Sequence, residues 1–284
     1  MARKLAHKLA RVAFQGEPGA FSQEAAHQLM GKEITVVPCL AFEEVFRRLK
    51  ASEVDAAVIP IENTLHGSVH ENYDHLLRYE LPITGETKVR IVHNLIAAPG
   101  VKFRDLRRVF SHPVALNQCL RFFELNPGLE KTSHYDTAGS VKMVMKENLR
   151  DAAAIASSVA AGIYGGRILK RSIEDDRQNF TRFFLLQPEA PSSRSVEPKE
   201  WKTSLVFTTR NIPGALFRAL SAFALRDLSL SKIESRPLRG KPWEYLFYVD
   251  LLGRAEEQRV RNALAHLGEL ADFMRVLGSY PRGA

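Results

Sequence analysis

Between Val12 and Gln187 short apolar runs alternate with stretches in which apolar residues return at helical spacing, the rhythm of an α/β domain. Val12–Gln15 reads as a first strand, Gly16-Glu17-Pro18-Gly19 as the turn after it, and Phe21–Leu29 as a helix. Ile34–Val37 is a strand. Phe42–Leu49 sets Phe42, Val45, Phe46 and Leu49 on one face of an amphipathic helix. Ala56–Ile61 reads as a buried strand ending in the polar loop Glu62–Ser68, and Val69–Arg78 as the helix after it. Ile83–Ala98 is rich in β-branched residues and reads as two strands or one long bent one. The rhythm then restarts with strand Val109–Ser111 and helix Pro113–Phe123, which has proline in its first turn. A strand end follows at Ser133–Tyr135, then a helix capped by Asp136 or Thr137 and running to about Lys146. Strand Ala152–Ala156, helix Val159–Tyr164 and strand Thr181–Leu186 complete the series. Two such rhythms joined by extended crossovers predict two lobes with a ligand cleft between them.

Pro188–Lys202 holds three prolines and three serines and reads as a linker. Beyond it Ser204–Thr209, Leu216–Arg226, Leu228–Glu234, Tyr245–Leu252, Glu257–Leu267 and Phe273–Gly278 spell βαββαβ, a ferredoxin-like α+β unit. The predicted division is therefore 12–187, a linker over 188–202, and 203–284.

Bulk properties narrow the partners. At 284 residues the chain accommodates about two domains, and 45% hydrophobic with 25% charged residues is ordinary for globular proteins. No window approaches the roughly 18 continuous apolar residues of a membrane span, so no membrane partner is expected. Met1–Arg11 is basic but lacks the apolar run and cleavage site of a secretion signal, so a cytoplasmic location is expected. Cys39 and Cys119 have no partner motif and read as buried reduced thiols, and no Cys/His cluster has the spacing of a zinc site. The net charge of +8 suggests nucleic acid until it is divided along the chain. Residues 1–11 carry four basic and no acidic side chains, 12–202 carry 24 of each, and 203–284 carry 12 basic and 8 acidic. The larger domain is neutral, and neither a recognition helix nor an RNA-binding aromatic signature is present. No nucleic-acid partner is expected.

Ligands of open α/β sheets bind outside the carboxyl ends of strands. The polar residues there are the Gly16–Ser22 turn, the Glu62–Ser68 loop, Ser111–Gln118, Asp136–Ser140, and Thr181-Arg182-Phe183 after the charged run Glu174–Asn179. Gly16-x-x-Gly19 lacks the third glycine and acidic partner of a dinucleotide fingerprint, and no phosphate-loop lysine follows it. Each polar residue also has a structural reading. Asn63 and Ser68 satisfy a loop; Ser111 and Gln118 are a cap and a surface position; Arg182 pairs with Asp175 or Asp176. His66, His75 and His112 are of a type that transfers protons, yet lone histidines read first as loop or surface residues. No Ser-His-Asp arrangement is definable. Together these residues describe a cleft rich in hydroxyls and amides, with an arginine at one wall, suited to a small anion. In the C-terminal unit, Asn211-Ile212-Pro213-Gly214-Ala215-Leu216-Phe217 aims a glycine turn at a helix N-terminus, a place to hold a carboxylate. Glu234-Ser235-Arg236-Pro237 begins twenty residues after Gly214.

At these residues the chain resembles the bacterial prephenate dehydratases that carry a C-terminal ACT regulatory domain. Ile61-Glu62-Asn63-Thr64 with Gly67-Ser68, Ser111-His112-Pro113 with Gln118-Cys119, Asp136-Thr137-Ala138 and Thr181-Arg182-Phe183 match that family's catalytic blocks. Gly214–Phe217 and Glu234–Pro237 match its paired phenylalanine-binding motifs. Six blocks in order, with no departure at a motif position, span residues 12 to 280. The resemblance implies two catalytic lobes like those of periplasmic binding proteins. It further implies conversion of prephenate to phenylpyruvate, water and carbon dioxide without metal or organic cofactor. Thr181 is then expected at the departing hydroxyl, with Glu62 a candidate proton source and Arg182 a candidate carboxylate holder. Asn63, Ser111 and Gln118 orient the ring, and Thr64, Ser68, Thr137 and Phe183 form the pocket wall. Asn211, Pro213, Gly214, Ala215, Leu216 and Phe217 are expected to bind the polar end of L-phenylalanine, completed by Glu234, Ser235 and Arg236. In the family that pocket forms between two ACT domains, which implies a homodimer or homotetramer. The alternatives are an arogenate dehydratase, acting on the transaminated substrate, and a non-catalytic two-lobed ligand sensor.

Overall fold

The structure is a computed structural model that describes residues 9–189, 200–238 and 240–283. The expected tail and linker thus lie largely outside the described residues, although Trp201 and Lys202 already belong to a strand. The chain divides into two compact units. The first comprises residues up to Tyr79 together with Thr87–Leu185; the second takes Glu80–Glu86 and everything from Leu186 onward.

The first unit holds two sheets, as the two rhythms predict. One runs in the order Ile34–Cys39, Ala10–Gln15, Ala56–Asn63, Phe180–Leu186, Ile83–Arg90, with the short strand Gly67–Ser68 paired to Ala56–Asn63. The last strand in that order begins in the second unit and ends in the first. The other sheet runs Arg167–Lys170, Asn94–Ala97, Ala152–Ala156, Arg108–Ser111, Glu130–Ser133. Its centre, Ala152–Ala156, is wholly buried, which a run of small residues covered on both faces allows. The amphipathic helix Phe42–Lys50 buries Val45, Phe46 and Leu49 as its spacing predicts. The lobes meet at the first turn. Gly19, at φ +92°, stands where an added Cβ would lie 2.6 Å from the Cα of Ala160, so only glycine fits. Its carbonyl accepts from Ser157 Oγ at 2.6 Å.

One expectation breaks in an informative way. In place of a continuous helix over 113–123 there are two short ones, Pro113–Asn117 and Leu120–Glu124. The Asp175 carboxylate accepts from the backbone amides of Leu120 (2.8 Å) and Arg121 (3.0 Å) and so starts a second helix. Gln118 sits at the break.

The second unit is the expected βαββαβ fold: Trp201–Thr208, Ala215–Ala224, Leu230–Pro237, Tyr245–Leu252, Gln258–Leu270, Phe273–Pro281. Its sheet runs Leu230–Pro237, Tyr245–Leu252, Trp201–Thr208, Phe273–Pro281, so Leu230–Pro237 is an edge. Leu205, Phe207, Phe223, Val249 and Leu267 form its core. Residues 80–86 belong here through several ties. Lys202 Nζ meets Glu86 Oε1 at 2.8 Å with both side chains buried, and the Gly283 amide donates to the same carboxylate at 3.0 Å.

Candidate active site

A cavity of about 430 Å³ opens among the strand ends of the first unit's two sheets. From the first sheet come Gln15, Asn63, Thr181 and Phe183, at the ends of three neighbouring strands. The 66–69 segment adds His66 and Ser68, and Ile91 and His93 enter from the crossover. The second sheet contributes His112 and Gln118 beyond Arg108–Ser111, and Tyr135, Asp136 and Thr137 beyond Glu130–Ser133. Phe21, Phe42, Val69, Val114 and Ala115 make much of the wall apolar.

Asn63 organises one end of the cavity. Its Nδ2 donates to Thr181 Oγ1 at 3.0 Å and to Asn179 Oδ1 at 2.8 Å. Its Oδ1 accepts from the amides of Leu65 and His66, both at 3.0 Å, which fixes the loop that carries His66. Because Thr181 Oγ1 is already an acceptor, its own proton remains to be donated elsewhere. Gln118 has both amide atoms engaged, with Oε1 2.8 Å from His93 Nε2 and Nε2 3.3 Å from His66 Nδ1. His93 is 1% exposed, and burial holds its imidazole below the ordinary histidine value.

Asp136 caps the helix Thr137–Lys146 by accepting from the Gly139 amide at 2.7 Å. Burial raises its pKa, with the nearby Glu17 charge adding to the effect. The stability it contributes is therefore full below the usual aspartate value and is lost as pH rises through the raised one. Asparagine caps as well without the charge. Asp136→Asn is expected to leave the thermal midpoint unchanged below the ordinary aspartate value and to raise it progressively as pH climbs through the raised one. Midpoints measured across that range check this; a gap that shrinks with pH contradicts it.

Asn63, Gln118, Thr181, Ser68, Thr137 and Phe183 thus share one cavity, while four expected site residues stand outside its lining. Alternation along Phe180–Leu186 turns Arg182 away from the side of Thr181 and Phe183. It is buried, 3.9 Å from Glu62 and over the Phe184 ring at 4.7 Å, rather than beside Asp175 or Asp176. Glu62 is turned aside by the same period on Ala56–Asn63. Ser111 is fully buried and donates to the Ile155 carbonyl at 2.7 Å. Thr64 donates to the Gln178 carbonyl at 2.8 Å and accepts from the Phe180 amide at 3.0 Å. These four brace the site's frame and do not line it. Reasoning from sequence missed Gln15, His93 and Tyr135 as lining residues and set His66 and His112 aside, while it placed Asp136 at a polar strand end without giving it a role in the site.

In the second unit Asn211, Pro213 and Gly214 form an exposed turn, and Gly214 takes the left-handed conformation (φ 76°) at the N-cap of Ala215–Ala224. Leu216 packs against the core, whereas Phe217 is 77% exposed. Glu234, Ser235 and Arg236 lie on the edge strand, with Glu234 3.4 Å from Lys232 and Ser235 on the opposite, exposed face.

A two-lobed α/β unit around a polar-ended cavity, followed by a ferredoxin-like module, defines a protein with a small-molecule site and an appended α+β domain. Residues 12–191 match the family model described as prephenate dehydratase, and 203–269 match the ACT domain. The chain belongs to the prephenate dehydratase family. An Arabidopsis thaliana protein named arogenate dehydratase/prephenate dehydratase 2, chloroplastic, is 47% identical over 95% of this chain and 72% of its own length. Among solved structures, the prephenate dehydratase of Arthrobacter aurescens in complex with L-Phe is 34% identical with a TM-score of 0.86, covering 96% of this chain and 90% of that one. A second, GqqA, described as a novel type of quorum-quenching acylase, is 32% identical with a TM-score of 0.86, covering 95% and 97%. No helix among the described residues is long and apolar enough to cross a membrane.

Proposed function

We propose that this chain catalyses the decarboxylating dehydration of prephenate to phenylpyruvate, with residues 12–187 as catalyst and 203–284 as a phenylalanine-responsive regulator. The observation that carries the assignment of roles is the Asn63–Thr181 bond at 3.0 Å inside the cavity. In the reaction the bond from ring carbon to carboxylate breaks, its electron pair enters the ring, and the opposite carbon–oxygen bond breaks with loss of hydroxide. The products are carbon dioxide and, once the hydroxide is protonated, water. The departing oxygen gains negative charge in the transition state, so a fixed hydroxyl donor there accelerates the step. Thr181 is that donor, and Asn63 aims it. Ser68 and Thr137 bond the polar end of the substrate, and Phe183 packs on its ring.

The ACT unit receives L-phenylalanine at the Asn211–Phe217 turn, with Glu234, Ser235 and Arg236 completing the pocket. Exposed Ile212, Phe217 and Ile233 and the edge position of the strand Leu230–Pro237 support a homodimer or a homotetramer built from it. A cytoplasmic location belongs to the same reading and is supported by the two buried, unbridged cysteines.

Arogenate is the second substrate to test, since the Arabidopsis relative's name carries both activities. The purified protein is incubated with prephenate or arogenate while phenylpyruvate or phenylalanine formation is followed, with and without added phenylalanine. Phenylpyruvate from prephenate is expected, slowed by phenylalanine. Turnover of arogenate alone would reassign the substrate, and turnover of neither would leave a ligand sensor.

A further inference from the structure

With Arg182 turned away, no lysine or arginine is among the described residues that line the cavity, and the one carboxylate among them, Asp136, caps a helix. A substrate bearing two carboxylates must therefore be held there by other donors. Three imidazoles line the cavity: His66, His93 and His112. Their hydrogen bonds fix where each neutral ring carries its proton.

His112 Nδ1 accepts from the Val114 amide at 3.3 Å, so its proton is on Nε2. His93 has Nε2 2.8 Å from Gln118 Oε1, while its buried Nδ1 has no partner. A buried N–H without an acceptor is rarer than a bare acceptor nitrogen, so His93 donates from Nε2 and Gln118 turns its oxygen to it. Gln118 Nε2 is then the atom facing His66 Nδ1, at 3.3 Å, and it must donate. His66 consequently carries its proton on Nε2. Two rings from separate segments thus have Nδ1 occupied by a fixed donor and Nε2–H left to offer.

We propose that His66 and His112 hold the ring carboxylate of the substrate as neutral imidazoles, each through Nε2–H, and that Gln118 positions His66 without touching substrate. This rests on the reading of the cavity as a prephenate or arogenate site. The chemistry favours neutral donors. A carboxylate that leaves as carbon dioxide loses its charge on the way, so a cation beside it stabilises the ground state more than the transition state and slows the step. Neutral N–H groups in a largely apolar wall orient the group with less of that penalty. The titratable groups facing the pair are each other and Asp136, with Glu17 behind it, Tyr135 bonded to Glu17 at 2.8 Å, and His134 3.4 Å from the Asp136 carbonyl. Burial and the His66 ring lower the His112 pKa against the pull of Asp136, a shift towards the neutral ring.

Steady-state kinetics of the full-length protein with prephenate and arogenate, from about pH 6 to pH 9, test the proposal. His66→Phe is expected to raise KM about tenfold with kcat within about threefold, the loss of one hydrogen bond to a charged group. His112→Asn keeps a capping side chain but lacks the Nε2 donor, and the same split is expected. His66→Lys puts a cation at the carboxylate and is expected to lower both KM and kcat. For the wild type, kcat and KM are expected to fall together as pH drops through the histidine range. Unchanged KM in both neutral variants, or a lysine variant with kcat at or above wild type, would overturn the proposal. So would a wild-type kcat/KM that declines as pH rises through that range, since the imidazolium would then be the binding form. Wild-type protein that turns over neither substrate would refute the functional reading itself. Normal wild-type turnover with indifferent variants refutes only the role of the two imidazoles.

Discussion

Thr181→Ala is expected to lower kcat by about 10²–10³-fold while KM stays within about threefold, the signature of a donor that acts mainly in the transition state. Departure of hydroxide is the difficult half of the reaction, because it is a poor leaving group until it is hydrogen-bonded or protonated. Thr181 Oγ1 is held by Asn63 Nδ2 at 3.0 Å, and Asn63 is held in turn through Asn179 and the loop amides of Leu65 and His66. The donor is thereby preorganised, which is what makes a single hydroxyl effective. Thr181→Ser restores the hydroxyl and should recover most of the loss. Steady-state kinetics of both variants decide the matter: alanine turnover within a few-fold of wild type removes Thr181 from the chemistry.

Glu86→Ala is expected to destabilise the second unit by about 3–5 kcal/mol, because it removes one partner of a buried ion pair. The side chains of Glu86 and Lys202 are 1% and 7% exposed, and the pair also accepts the Gly283 amide. Replacing both at once, as Glu86→Leu with Lys202→Met, removes two buried charges together and should cost far less than the single change. Denaturant unfolding of the full-length variants measures this. A single variant as stable as wild type would mean that water or another group reaches the ammonium.

The fold was largely legible because period decides it. Ala152–Ala156 and Tyr245–Leu252 begin and end where the apolar pattern puts them. Arg167–Lys170 escaped because its only apolar residues, Ile168 and Leu169, pack on different core clusters between charged ends, too short a run to show a period. The helix break at Gln118 was not legible, since the carboxylate that starts the second helix, Asp175, is 55 residues away along the chain. The blocks around Asn63 and Thr181 marked segments that line the cavity, but a block does not say which side chain faces inward. Alternation on Phe180–Leu186 was the available signal for Arg182: Thr181 and Phe183 share a face, so the arginine between them does not. For His66 and His112 no signal existed, because a histidine's role is set by what occupies its other nitrogen. That depends on contacts between segments far apart in sequence.

The strand Ile83–Arg90 has a practical consequence for dissecting the protein. Its first half belongs with the ACT unit, where an added Cβ on Gly278 would collide with the Ile83 carbonyl oxygen and where Thr84 bonds Gln187 at 2.8 Å. Cutting the chain between the two family regions would therefore not yield a self-contained catalytic fragment. The fragment would keep residues 80–86 but lose Lys202 and Gly278, leaving a buried carboxylate and an apolar strand segment bare to solvent and to other chains. A truncated protein that fails to turn over, or that aggregates, would then report on this orphaned segment and say nothing about whether regulation is needed for catalysis. On the proposed function, an unregulated enzyme is better sought by point changes in the Asn211–Phe217 turn, with every residue of the chain retained.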